Sequence, residues 1–282
     1  MSERIQEKAM VVTLAISQWT ARRYDREISD EIEQRHNAQE AGRYNKLLIA
    51  KDEINKITQI ASDARLYNYK VTLPWTDKGD RLLPAELFFD YINKMEKFRS
   101  QFEKAVNNFI YQYYTLKTEA EHRLNTMYKE EDYPDKESLK DKYSFNINIL
   151  PIPDGKDFRV NLQNEEVAKI QKDIEKRTKL TIEKSIQSLW KRLYEAISRM
   201  ADQLSNKHGK IYDSLIGNVK ELCQLLPALN ITNDKTLNNM KEEIEKKFII
   251  SAESLRENKK YRQSKAREAR DIVNKMKCYM HS

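Results

Sequence analysis

Glycine and proline are scarce, at five and six residues in a chain of 282. The glycines never cluster, so neither GxxxxGK[ST] nor GxGxxG occurs, and no glycine-rich loop is present to cradle a nucleotide's phosphates. Few glycines also mean few tight turns, which favours long helices over a compact enzyme built on many loops. Cysteine is limited to Cys223 and Cys278. Two thiols without CxxC or a disulfide framework suit a reducing compartment. His36, His122, His208 and His281 are scattered, with no HExxH and no pair at ligand spacing. His281 follows Cys278 by three positions, which reads as coincidence. GxSxG is absent, and no acid/base pair stands out among 44 Asp and Glu. These absences point to a non-enzymatic protein with no cofactor and no metal. No apolar stretch approaches the roughly 18–20 residues of a membrane helix. The opening MSERIQEKAM is polar and unlike a secretory leader. A cytoplasmic protein with no membrane partner is expected.

What is plentiful is charge, at 34% of residues, and the net charge of +7 is uneven. Lys246 to Ser282 holds eleven Lys/Arg against four Asp/Glu. This tail accounts for the whole surplus, and it has few apolar residues on any face. It reads as a solvated helix or as a grip on phosphates.

Hydrophobic spacing predicts the elements. Met10 to Ser17 is β-branched and apolar, a buried strand. A charged helix is expected from Thr20 to His36, a loop from Asn37 to Asn45, and a helix from Lys51 to Tyr67. Tyr69 to Trp75 alternates as a short strand, and Thr76 to Leu83 is turn-rich. From Pro84 to Met127 nothing interrupts a helix whose apolar stripe includes Tyr91, Met95, Phe102, Val106, Phe109 and Tyr113. Ser144 to Ile152 alternates as a strand, with Asp157 to Leu162 as its hairpin partner. A second long helix runs from about Glu165 to Leu204. Shorter helices follow, over Lys210–Leu226, Asp234–Ile250 and Ala252–Met280. The fold expected is α+β, predominantly α: a small sheet near Met10, Tyr69, Ser144 and Asp157, a long antiparallel pair (84–127 with 165–204), and C-terminal helices. Residues 1–230 are expected to form the mixed core and 231–282 a basic helical segment.

Aromatic and basic residues interleave near the N-terminus. Single-stranded nucleic acid is held by rings that stack bases and by cations that follow phosphates. On that logic Arg22, Arg23, Arg43, Lys46, Arg65, Lys70 and Arg81 would meet phosphate, and Trp19, Tyr24, Tyr44, Tyr69 and Trp75 would stack. The competing reading places the rings in the core between sheet and helices. From Ser17 to Arg81 there are twelve Lys/Arg and eleven Asp/Glu, so only a segregation of charge in space makes a basic surface. The alternative function is a structural or adaptor protein whose long helices, coiled-coil fashion, self-associate or dock a partner.

Several stretches resemble a family of uncharacterised proteins from tailed bacteriophages and prophages. They are LAISQWTARRYD (Leu14–Asp25), AGRYNKLLI (Ala41–Ile49), TLPWTDKGDRLLPAELFFDY (Thr72–Tyr91), TMYKEEDYP (Thr126–Pro134) and PIPDGKDFRV (Pro151–Val160). The resemblance covers roughly the first 230 residues and excludes the lysine-rich end. It implies a setting among phage DNA replication and recombination proteins in the host bacterial cytoplasm. It carries over no site residue.

Overall fold

The computed structural model describes residues 5–157, 164–206 and 209–280. The elements begin with α1 (Ile5–Lys8), β1 (Ala9–Ser17), β2 (Arg22–Tyr24), α2 (Arg26–His36), β3 (Asn45–Leu47) and α3 (Lys51–Val71). Then come β4 (Leu73–Pro74), β5 (Arg81–Pro84), α4 (Phe88–Leu124), α5 (Lys136–Lys140) and β6 (Ser144–Leu150). The C-terminal half holds α6 (Asn164–Ser205), α7 (Asp213–Leu229), α8 (Lys235–Phe248), α9 (Ala252–Glu257) and α10 (Lys259–Met280). Helix predominates, with a small sheet of order β4-β5-β1-β6, which is the α+β class expected. The chain forms two compact units. Unit 1 is Met1–Thr13, Tyr69–Phe89 and Asn148–Ser282, and unit 2 is Leu14–Asn68 and Asp90–Ile147.

In unit 1 the first half of β1 pairs antiparallel with β5, from Ala9 opposite Pro84 to Val12 opposite Arg81. β5 also pairs with β4, Leu73 opposite Leu82. The turn between them is closed by Asp80, whose carboxylate accepts from Thr13 Oγ1 at 2.5 Å and from Thr76 Oγ1 at 2.9 Å. Gly79 sits there at φ +100°, a conformation that side chains with a Cβ rarely adopt. Residues 76–83 are therefore a turn followed by a fully buried strand, not a loop throughout. The strand expected over Tyr69–Trp75 is only Leu73–Pro74, because α3 continues to Val71. Asp157 ends a short 3-10 turn rather than opening a strand, and the remainder of its proposed hairpin partner lies outside the described residues.

The core of unit 1 gathers Val11, Leu73 and Leu82 of the sheet with Leu193, Ile197 and Met200 of α6. Residues of α7, α8 and α10 belong to the same core: Cys223, Phe248 and Met276 are all essentially fully buried. The partner of α6 is α10. Arg262 near the start of α10 donates to the Leu204 and Gln203 carbonyls at the end of α6, at 3.0 and 3.3 Å. At the far end Tyr279 stacks on Trp190 with ring centroids 5.2 Å apart. The two helices are thus antiparallel. Two expectations change accordingly. The long helices α4 and α6 fall in different units, and the antiparallel partner of α6 comes from its own unit. Residues 231–282 are also not a separate basic segment. From Ala266 to Met276, residues of α10 three or four apart are apolar and buried (Ala266, Ala269, Ile272, Val273, Met276).

In unit 2, α4 runs for 37 residues with Tyr91, Met95, Phe102, Val106, Phe109, Tyr113, Leu116 and Ala120 buried along one stripe. Asn68 of α3 accepts from the Tyr91 hydroxyl at 2.9 Å, and Tyr67 stacks on the same ring. The helix expected from Thr20 begins only at Arg26. Asp25 caps it, accepting from the Ile28 N–H at 3.2 Å, and Asn37 ends it at φ +49°. The residues before the cap form β2, which pairs antiparallel with β3 in a two-stranded ribbon.

Candidate nucleic-acid interface

The twelve candidate residues divide between the units, so they do not form one surface within either. Trp19, Arg22, Arg23, Tyr24, Arg43, Tyr44, Lys46 and Arg65 belong to unit 2, and Tyr69, Lys70, Trp75 and Arg81 to unit 1.

The β2–β3 ribbon sorts the first group. Arg22 lies opposite Leu47, Arg23 opposite Lys46, and Tyr24 opposite Asn45. Side chains alternate along a strand, so Arg23 and Lys46 share one face while Arg22 and Tyr24 share the other. The first face meets Asp132: Lys46 Nζ lies 2.7 Å and Arg23 Nε 3.4 Å from its carboxylate. Lys46 also contacts the Asp25 carboxylate at 3.2 Å and donates to the Met127 carbonyl at 2.8 Å. Its side chain is 2% exposed, so it is a buried ion-paired group and not a phosphate contact. Burial pulls the Lys46 pKa down, but hydrogen bonds to Asp132 and Asp25 outweigh it and hold the ammonium above its ordinary 10.5. For Asp25 burial pushes upward, and the Ile28 N–H and Lys46 reverse it, leaving the carboxyl below 3.8.

The other face is open. Arg22 and Tyr24 are exposed there, Arg43 and Tyr44 just before β3 are exposed too, and the Arg43 guanidinium lies 5.8 Å from the Tyr24 ring centroid. Neither Arg22 nor Arg43 makes an ion pair among the described residues. Beside Arg22 a cavity of about 300 Å³ is walled by Trp19, Leu47, Ile49, Lys51 and Asn55. Trp19 packs inward on Phe109 and Tyr113, with centroids 6.2 and 6.1 Å away, and remains half-exposed toward this cavity. Ala21, between Trp19 and Arg22, is buried at φ +50°, a left-handed conformation costing an alanine ~1–2 kcal/mol. The Leu48 N–H holds it there through the Ala21 carbonyl at 2.8 Å. Such strain collects at ligand sites. The buried side-chain oxygen of Gln18, also on the cavity wall, has no donor among the described residues.

The other candidates have structural work. Arg65 donates to the Ile16 carbonyl at 2.9 Å. In unit 1 Arg81 is buried, bonded to Thr72 Oγ1 and to its carbonyl at 2.5 and 3.0 Å, and stacked against the exposed Tyr69 ring at 4.6 Å. Trp75 packs on the core, and Lys70 pairs with Glu221. Sequence reasoning passed over Lys51, a cation of the cavity rim with no aromatic neighbour in sequence to mark it. It also passed over Asp132, whose role depends on a fold that brings it to Lys46. Among the described residues no group of three or more His, Cys, Asp or Glu is placed to hold a metal. No described helix is long and apolar enough to cross a membrane. Comparison with protein-family models, with curated proteins and with solved structures finds no match.

Proposed function

We propose that this chain is a non-enzymatic nucleic-acid-binding protein of phage DNA metabolism that holds single-stranded DNA without sequence preference. The observation that carries the reading is the sorting at the β2–β3 ribbon. One face consumes its cations internally, whereas the other leaves Arg22 exposed beside the Trp19 cavity and Arg43 exposed against the Tyr24 ring. Exposed cations next to accessible rings are what a strand needs for phosphate tracking and base stacking. The phage setting comes from the resemblance above.

Anisotropy of a labelled oligothymidine over a salt series tests it. The variant Arg22→Glu/Arg43→Glu is expected to bind at least about tenfold more weakly, its salt slope shallower by about 1.4, or 0.7 per lost phosphate contact. Both residues are exposed, so the fold stays intact. Absence of binding by the intact chain at low salt would refute the reading.

An adaptor role is favoured instead by α4, whose outer side shows Tyr111 at 81% and Tyr114 at 60% exposure. Rings so exposed suit interface anchors. A salt-insensitive oligomer in light scattering, without nucleic-acid binding, decides for this second reading.

A further inference from the structure

Helix α10 carries eight Lys and Arg against two Asp and Glu. Three of the eight are committed inside unit 1. Arg262 bonds the carbonyls at the end of α6, Lys265 pairs with Glu268 at 2.8 Å, and Lys275 pairs with Glu243 at 2.6 Å. Of the rest, Lys259, Lys260, Arg267 and Arg270 are exposed. At 3.6 residues per turn these four fall within an arc of about 100°, facing away from the buried Ala269 and Met276. Gln263 lies between them in that arc and Asn274 one turn beyond Arg270, with no carboxylate in it. Asp271 stands at the margin, and Glu268 lies beyond it on Lys265. From Lys259 to Arg270 the stripe runs about 17 Å at 1.5 Å per residue.

We propose that this stripe binds the sugar–phosphate backbone of double-stranded nucleic acid, at a site separate from the surface of unit 2. No aromatic residue lies on it: the two rings of this helix are on another side, Tyr261 beside the Lys265 ammonium and Tyr279 stacked on Trp190. It therefore has nothing to insert between bases and reads phosphate alone, with Gln263 and Asn274 as neutral donors to the same oxygens. The buried face of α10 and the Arg262 anchor hold the helix in place, so the cations keep a fixed spacing. A fixed array matches the regular phosphate lattice of a duplex and gains less from a flexible strand, which must be ordered to meet it.

The test is the salt dependence of binding to a labelled duplex of mixed sequence, for the intact chain and for Lys260→Ala/Arg267→Ala/Arg270→Ala. All three positions are exposed and alanine is a strong helix former, so circular dichroism of the variant should match the parent. The slope of log K against log salt is expected to become shallower by about 2.7 in the variant, or 0.9 per lost phosphate contact. An unchanged slope overturns the proposal, as does retention on phosphatidylserine vesicles with no duplex binding. The Arg22→Glu/Arg43→Glu variant is expected to keep the stripe's contribution. Loss of duplex binding in the α10 variant alone thus supports this site even if oligothymidine never binds.

Discussion

Replacing Lys46 with methionine is expected to destabilise the protein by about 3–5 kcal/mol, the largest effect of any single substitution on the β2–β3 ribbon. The side chains of Lys46, Asp25 and Asp132 are 2%, 7% and 8% exposed. Methionine fills much the same volume but leaves the Asp25 carboxylate without a cation and Asp132 with Arg23 alone, so the cost is that of stranded charge and not of a cavity. Denaturant melts of the Lys46→Met variant measure it. Adding Asp25→Asn and Asp132→Asn to Lys46→Met should restore most of the loss, because no buried charge remains and asparagine still caps α2. A loss under about 1 kcal/mol in the single variant would show that water reaches the cluster. The cluster also sets pH limits. The Asp25 contribution is present above its unfolded pKa of 3.8 and lost as pH falls through the lower folded value. The Lys46 contribution is complete below 10.5 and lost as pH rises through the raised folded value. Neutral pH lies between these limits, and acid melts of the triple variant should be flatter than those of the parent.

The second large effect concerns α10. Ending the chain after Glu257 is expected to abolish cooperative unfolding of unit 1 and to make the protein aggregate. The cut removes Ile272, Val273 and Met276, each worth roughly 1.5–3 kcal/mol when buried, together with the Arg262 anchor and the Tyr279–Trp190 stack. It also uncovers the stripe of α6 that includes Leu193 and Ile197. That sum approaches the whole stability of an ordinary domain, about 5–15 kcal/mol. Scanning calorimetry and light scattering provide the check. A truncated chain that stays as dispersed as the parent and melts as before would mean that α10 is the solvated helix its composition suggests. Alanine replacement of the exposed Lys260, Arg267 and Arg270 should by contrast move stability by no more than about 0.5 kcal/mol.

The contrast between α4 and α10 shows what the sequence makes legible. In α4 large apolar residues repeat at three and four positions for 37 residues without a breaker, so the helix and its buried face can be read directly. In α10 the same spacing is carried partly by Ala266 and Ala269, too small to stand out among lysines and arginines. The stripe shows only once α6 supplies a surface against it. β5 was hidden for another reason. Pro84 suits the first turn of a helix, yet here it closes a strand before the 3-10 turn that leads into α4. At the candidate interface the residue types were legible and their orientation was not. Three residues, Arg22 to Tyr24, are too few to display alternation. The fate of Lys46 was set by Asp25 and Asp132, which only the folded chain brings to it.

The division of unit 1 into three stretches of chain has a consequence for synthesis. Val11 and Met276 belong to one core, yet the ribosome makes the second about 265 residues after the first. At 5–20 residues per second, the early strand waits roughly 15–50 seconds for the helix that completes its core. Unit 2 has all its residues by Ile147 and can close while that wait continues. The nascent chain thus carries a finished unit 2 with apolar segments of unit 1 still open to solvent, and the hazard of misassembly is greatest before α10 emerges.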